Sequence, residues 1–205
     1  MITTIPIDYG KYYHIYNRGI NGCEIFKERT NYEHFLALYE KYIPLIAETF
    51  AWVLMGNHFH FLVRINEEKE IDVENLTRIP KTVRFNFITP DRPSQQFSNL
   101  FNAYSKGFNK MYDRTGGLFE RPFKRKEIGD DYYLKLLIYY IHHNPIHHGV
   151  VSRMNEYMWS SFGEIYAQKE PRFQVLGIVE WLFDNRDNFL SFHQQEHDTS
   201  EVEDY

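Results

Sequence analysis

Residues 58–65 read His-Phe-His-Phe-Leu-Val-Arg-Ile and place two imidazoles two positions apart. In an extended strand, alternate side chains share a face. His58, His60, Leu62 and Arg64 then point one way, and Phe59, Phe61, Val63 and Ile65 point the other. The second set is a clean core face, whereas the first opens with two imidazoles close enough to grip one cation. Two unrelated histidines, one of them hydrogen-bonded in a core, would give the same pattern. A second cluster spans 136–149, Leu-Leu-Ile-Tyr-Tyr-Ile-His-His-Asn-Pro-Ile-His-His-Gly. Leu134, Leu137, Ile138 and Ile141 form its apolar stripe. Tyr140 and Asn144 are four apart, one turn from each other on a face that borders the stripe. There a tyrosine can present its hydroxyl to a substrate and an asparagine can offer a neutral oxygen ligand. A half-buried packing tyrosine and an ordinary helix terminator fit the same spacing.

The elements that must carry these residues can be read along the chain. Tyr12–Tyr16 reads as a strand stopped by Asn-Arg-Gly. Thr30–Ile46 has Phe35, Leu38, Tyr42 and Ile46 near helical spacing. Phe50–Met55 and His58–Ile65 are strands joined at Gly56-Asn57 as a hairpin. Residues 66–95 are polar, contain Pro80, Pro90 and Pro93, and read as a loop-rich insertion. Phe97–Asp113 reads as a helix broken at Gly116-Gly117. Leu118–Ile128 fits a basic edge strand with Pro122 in it. Asp130 or Asp131 caps a helix that should end at Asn144, because Pro145 disfavours helical geometry in the residue before it. The order strand, helix, strand, strand, helix, strand, helix makes an α+β fold, an antiparallel sheet with helices packed on it. Residues 1–154 form the main body. Residues 155–205 form a C-terminal helical extension with an acidic tail, in which Leu176, Val179, Leu182 and Phe183 suggest a small docking helix.

Of the 205 residues, 43% are hydrophobic and 25% charged, which suits a globular domain with a real core. The aromatic share of 18% fits a large aromatic core with a few rings left to stack on unpaired bases. One cysteine, Cys23, excludes a disulfide framework and a cysteine zinc site, and points to the cytoplasm. No apolar run approaches the roughly 18 residues that span a bilayer, so no membrane association is expected. The net charge of −5 hides an uneven distribution. Residues 155–205 carry 3 Lys+Arg and 11 Asp+Glu, whereas 1–154 carry 20 and 17. Within 101–126, seven cations face only Asp113 and Glu120. A local basic stripe of this kind is how a protein meets phosphates, although a solvated helix face looks the same.

Taken together, Asn-His-Phe-His-Phe-Leu-Val at 57–63, Phe-Glu-Arg-Pro-Phe-Lys-Arg-Lys-Glu-Ile at 119–128 and Tyr-Tyr-Ile-His-His-Asn-Pro at 139–145 resemble the single-tyrosine HUH transposases. The resemblance is to the REP-associated tyrosine transposase-like branch, and Tyr-His-Ile-Tyr-Asn-Arg-Gly at 13–19 and Trp-Ser-Ser-Phe at 159–162 share in it. It covers about residues 9–166, with the motifs in the family's order. The implied fold is the ferredoxin-like sheet of HUH nucleases. The implied ligands to a divalent metal, Mg²⁺ or Mn²⁺, are His58, His60 and Asn144, with Tyr140 as nucleophile. Tyr139 points roughly 100° away around the helix. The chain departs from the family where His147-His148 follow the Asn-Pro pair in place of a basic residue.

That resemblance implies a transposase-like single-strand DNA endonuclease and strand transferase, in which metal-assisted attack by Tyr140 leaves a 5′-phosphotyrosine. The substrate would be single-stranded or hairpin DNA. Arg18, Arg121, Lys124 and Lys126 are the residues expected to meet phosphates, the last three alternating along the basic strand. Whether the protein acts as a homodimer stays open. Two other functions compete: a domesticated DNA-binding regulator that no longer cleaves, and a metal-dependent hydrolase of small molecules.

Overall fold

The computed structural model describes residues 5–71, 93–173 and 175–202. Pro80 and Pro90 of the expected insertion, and Glu203 and Asp204 of the acidic tail, lie outside the described residues. Four antiparallel strands form one sheet: β1 (Tyr12–Arg18), β2 (Ala47–Leu54), β3 (His58–Ile65) and β4 (Lys124–Ile128), in the order β2-β3-β1-β4. The β2–β3 hairpin turns at Gly56-Asn57 as expected, and β3 has the bounds read from the sequence. β1 runs two residues further than expected, so that Arg18 lies opposite His58 and Tyr16 opposite His60.

Helices cover both faces. On one face α1 (Arg29–Tyr42) and α2 (Pro93–Met111) pack against Phe59 and Phe61. The ring centroids of Phe35 and Phe59 lie 5.2 Å apart, those of Tyr39 and Phe61 4.3 Å, and those of Phe59 and Phe101 5.3 Å. Each such pair adds about 1 kcal/mol beyond its area burial. The aromatic richness of the chain is therefore spent largely on this core, where Phe35, Phe59, Phe61, Phe97, Tyr104 and Phe108 are fully buried. On the other face lies α3 (Asp131–His147). Its N-cap is Asp130, whose carboxylate accepts from the Tyr133 amide at 2.8 Å.

Five expected boundaries are corrected. The first helix ends at Tyr42 instead of Ile46, and β2 begins at Ala47 instead of Phe50. The basic strand is only Lys124–Ile128 instead of Leu118–Ile128. Pro122 has no N–H for the ladder, and before it only an isolated bridge, Gly19 to Phe119, joins this segment to β1's continuation. The helix carrying Tyr140 runs to His147, with Pro145 inside it. Pro145 disfavours but does not forbid helix at Asn144, and the turn beyond is closed by His148 N–H to Asn144 O (3.0 Å) and Val150 N–H to Pro145 O (2.9 Å). Pro93, read as part of the loop, instead opens α2, where its missing N–H and fixed φ suit the first helical position.

The C-terminal segment holds α4 (Ser161–Tyr166), α5 (Val175–Phe183) and α6 (Arg186–His193). Trp159 O accepts from Leu54 N–H at 2.9 Å, and Ser161 Oγ accepts from Trp52 N–H at 2.9 Å, so the segment is stitched to the free edge of β2. His142 on α3 meets both neighbours: its Nδ1 is 2.9 Å from His193 Nε2, and its Nε2 is 2.8 Å from Ser161 Oγ. This relay holds α3, and with it Tyr140 and Asn144, against the sheet edge and α6. Among the described residues no helix is long and apolar enough to cross a membrane.

Candidate active site

The strand alternation puts His58 and His60 on the α3 face of the sheet, and both are buried. The helical spacing puts Tyr140 and Asn144 on the face of α3 turned toward them. His58 Nε2 lies 2.9 Å from Asn144 Oδ1. The Tyr140 ring stands edge-on to His60, with centroids 5.3 Å apart at 84°. The strand pair and the helix pair, 80 residues apart in the chain, thus form one cluster. Tyr139 is directed elsewhere: it stacks on His143 at 5.1 Å and meets His197 edge-on at 4.7 Å.

Three further residues complete the cluster. His14 on β1 is fully buried, and its Nε2 lies 2.9 Å from His60 Nδ1. It also stacks on Tyr16 at 4.6 Å. This contact holds the His60 ring from behind, as an outer partner does for a metal-binding histidine. Asn57 in the hairpin turn places Oδ1 2.6 Å from His58 Nδ1. His148 sits 4.9 Å from His58, ring to ring. His14 lies inside the motif at 13–19, but nothing there ties it to His60: only the β1–β3 register brings the two together. Asn57 and His148 adjoin motifs already singled out and were legible as neighbours, though not as partners.

Burial pulls His58 down to about 4, with Asn144 opposing the shift and His148 and Arg18 adding to it. His60 is pushed well below the usual imidazole range, first by burial and then by His14. Both rings are neutral at pH 7, the form in which an imidazole binds a metal. A neutral imidazole carries one N–H, yet both nitrogens of His58 face amide oxygens, of Asn57 and Asn144. One of these contacts therefore sets a lone pair against an oxygen. A cation held by His58 Nε2 and Asn144 Oδ1 would resolve it, since a metal takes a lone pair from each. Without a cation, turning the Asn144 amide over brings Nδ2, buried and without a hydrogen-bond partner, onto His58 Nε2. Among the described residues no three His, Cys, Asp or Glu side chains converge as a metal cluster. A metal here would rest on two imidazoles and the Asn144 amide. Beside His58 a cavity of about 190 Å³, walled by Arg18, Asn57 and His148, gives access to this point.

The expected DNA-contacting residues separate. Arg18 borders that cavity, and its Nε is 3.8 Å from a Glu120 carboxylate oxygen. Lys124 and Lys126 lie on the face of β4 that His58 and His60 share, opposite Tyr16 and His14. Lys126 donates to Glu201 O at 3.0 Å and sits over the Tyr133 ring at 4.7 Å, so the acidic tail partly covers it. Arg121 does not join their row, since it precedes Pro122 outside the strand and is exposed.

A protein of Haemophilus influenzae assigned as a REP-associated tyrosine transposase is 27% identical over 142 residues, covering 64% of this chain and 73% of its own. The solved structure of a REP-associated tyrosine transposase bound to a REP hairpin superposes with a TM-score of 0.54 at 16% identity, over 82% of this chain and 86% of that one. No family model matches. In sequence and in fold, then, the chain is similar to the REP-associated tyrosine transposases.

Proposed function

We propose that this chain is a transposase-like, metal-assisted single-strand DNA endonuclease and strand transferase in which Tyr140 is the nucleophile. One observation carries the reading: Asn144 reaches His58 at 2.9 Å while Tyr140, one turn away, stands against His60. A packing tyrosine and a helix terminator have no reason to converge on a buried histidine pair. The solved relative's REP hairpin supports a hairpin-flanked single strand as substrate.

Mg²⁺ or Mn²⁺ held by His58, His60 and Asn144 would supply Lewis-acid polarisation of the scissile phosphate. The neutral imidazoles and the amide oxygen add no negative charge, which suits a site that must admit a phosphodiester. The Tyr140 phenol oxygen attacks phosphorus, the P–O3′ bond breaks, the phenolic proton passes to solvent and the 3′ oxygen leaves as a hydroxyl. The 5′-phosphotyrosine conserves the phosphoester bond, so a second strand's 3′-OH can rejoin it and release the phenol. Arg18, beside the cavity, and Lys124, on the same face, orient the backbone toward this point.

The test is incubation of an end-labelled hairpin carrying single-stranded flanks with Mn²⁺. Wild type cleaves it, whereas Tyr140→Phe binds with similar affinity and does not cleave. Hairpin binding without cleavage by wild type would favour the regulatory DNA-binding reading. Undiminished cleavage by Tyr140→Phe would remove Tyr140 from the chemistry.

A further inference from the structure

On the opposite face of the sheet from His58 and His60 lies a second cavity, of about 530 Å³, between α2 and the segment 116–125. Its size falls within the range of small-ligand sites. Its wall combines aromatic rings, hydroxyls and guanidinium groups. The Arg125 guanidinium carbon sits 4.1 Å from the centre of the Phe123 ring, and Phe123 meets Phe101 edge-on at 5.3 Å. Along α2, Ser98, Asn102 and Ser105 line the cavity at helical spacing. Ser98 and Ser105 donate their hydroxyl hydrogens to Ser94 O (2.9 Å) and Phe101 O (2.7 Å), which leaves oxygen lone pairs for a ligand's N–H groups. Glu120, the single carboxylate among the described lining residues, faces Arg18, so Arg121 and Arg125 leave the wall net positive.

We propose that this cavity is a nucleotide pocket that takes one unstacked base of single-stranded DNA, with its phosphate on Arg121 and Arg125. The pairing of planar apolar and guanidinium surfaces with a few acceptors and unspent cations fits a nucleobase and its phosphate. The position of β4 supports a continuous path. It is an edge strand whose Lys124 and Lys126 point to the catalytic face and whose Arg125 points to this one. A single strand crossing the sheet edge at β4 meets cations on both sides, with one nucleotide anchored in the pocket and the chain continuing toward Tyr140. The acceptor oxygens on α2 favour a base bearing an exocyclic amino group. The inference rests on the nuclease reading for the identity of the strand, but not on any cleavage.

The experiment is fluorescence-anisotropy binding of a labelled hairpin with single-stranded flanks in EDTA, using Arg125→Gln and Asn102→Trp. Asn102 is exposed, so the tryptophan plugs the pocket without entering the core. Circular dichroism and thermal melting check that both variants fold. Each variant should raise Kd about tenfold. A 2-aminopurine scan of the flank should find one position whose fluorescence changes on binding wild type but not Asn102→Trp. Wild-type affinity in folded Asn102→Trp would overturn the pocket. So would weakening by Arg125→Gln alone with no responding 2-aminopurine position, since that marks only diffuse phosphate attraction. Wild type that binds this DNA but never cleaves it would remove the nuclease reading alone. Wild type that binds no single-stranded DNA would remove both.

Discussion

Replacing His193 with glutamine should flatten the acid sensitivity of the fold by a calculable amount. His193 is 5% exposed, and its Nδ1–H donates to Phe189 O at 2.8 Å, which leaves Nε2 to accept from His142 Nδ1–H. His142 Nε2 then accepts from Ser161 Oγ, and the relay is complete with both rings neutral. Burial, the largest cause, lowers His193 to about 3, and it holds His142 well below the usual range. In the unfolded chain each imidazole takes up a proton near pH 6.5. Between pH 6.5 and about 3 the unfolded state therefore binds a proton that the folded state refuses at His193. The stabilising contribution is fully present above 6.5 and is lost as pH falls through this window. From pH 7 to pH 5 the loss is about 2 kcal/mol per such histidine, a large part of a typical stability of roughly 5–15 kcal/mol. His193→Gln removes one of these protons. Urea unfolding at pH 7, 6 and 5 should show the variant less stable than wild type by about 1–3 kcal/mol at pH 7. The gap should narrow by about 2 kcal/mol at pH 5. Parallel stability curves across that range would refute the claim that burial holds His193 neutral.

Other consequences follow from the site's supports. His14→Phe keeps a ring beside Tyr16 but removes the contact to His60 Nδ1, and Mn²⁺ affinity measured by electron paramagnetic resonance should fall about 10- to 100-fold with the melting temperature nearly unchanged. His14→Gln should restore part of it. Gly19→Ala sets a Cβ against the Cys23 carbonyl oxygen, and Gly19 N–H donates to Asn57 O at 2.8 Å, next to the side chain that holds His58. A loss of about 1–3 kcal/mol on chemical unfolding is expected, together with weaker metal binding.

Much of the candidate site could be read locally. The alternation of 58–65 fixes which face each histidine takes, and the four-residue spacing fixes Tyr140 with Asn144, because both depend only on the periods of strand and helix. What escaped depends on contacts distant in sequence. His14 reaches His60 through a strand register 46 residues away, and His142 reaches His193 across 51 residues. The 118–123 segment looked like strand from its composition, yet Pro122 has no N–H to give a ladder and the pairing begins at Lys124. Pro145 misled in the other direction. The apolar face of α3 and the closing hydrogen bonds after it carry the helix one turn past Asn144, and this keeps the Asn144 amide turned to His58.

The most direct test of the central claim is mass spectrometry of the protein trapped on a hairpin substrate in Mn²⁺, after nuclease trimming and proteolysis. The account predicts a 5′-nucleotide adduct on the peptide containing Tyr140, localised to that residue by fragmentation and absent from Tyr140→Phe. An adduct on Tyr139, or cleavage with no covalent adduct, would contradict it.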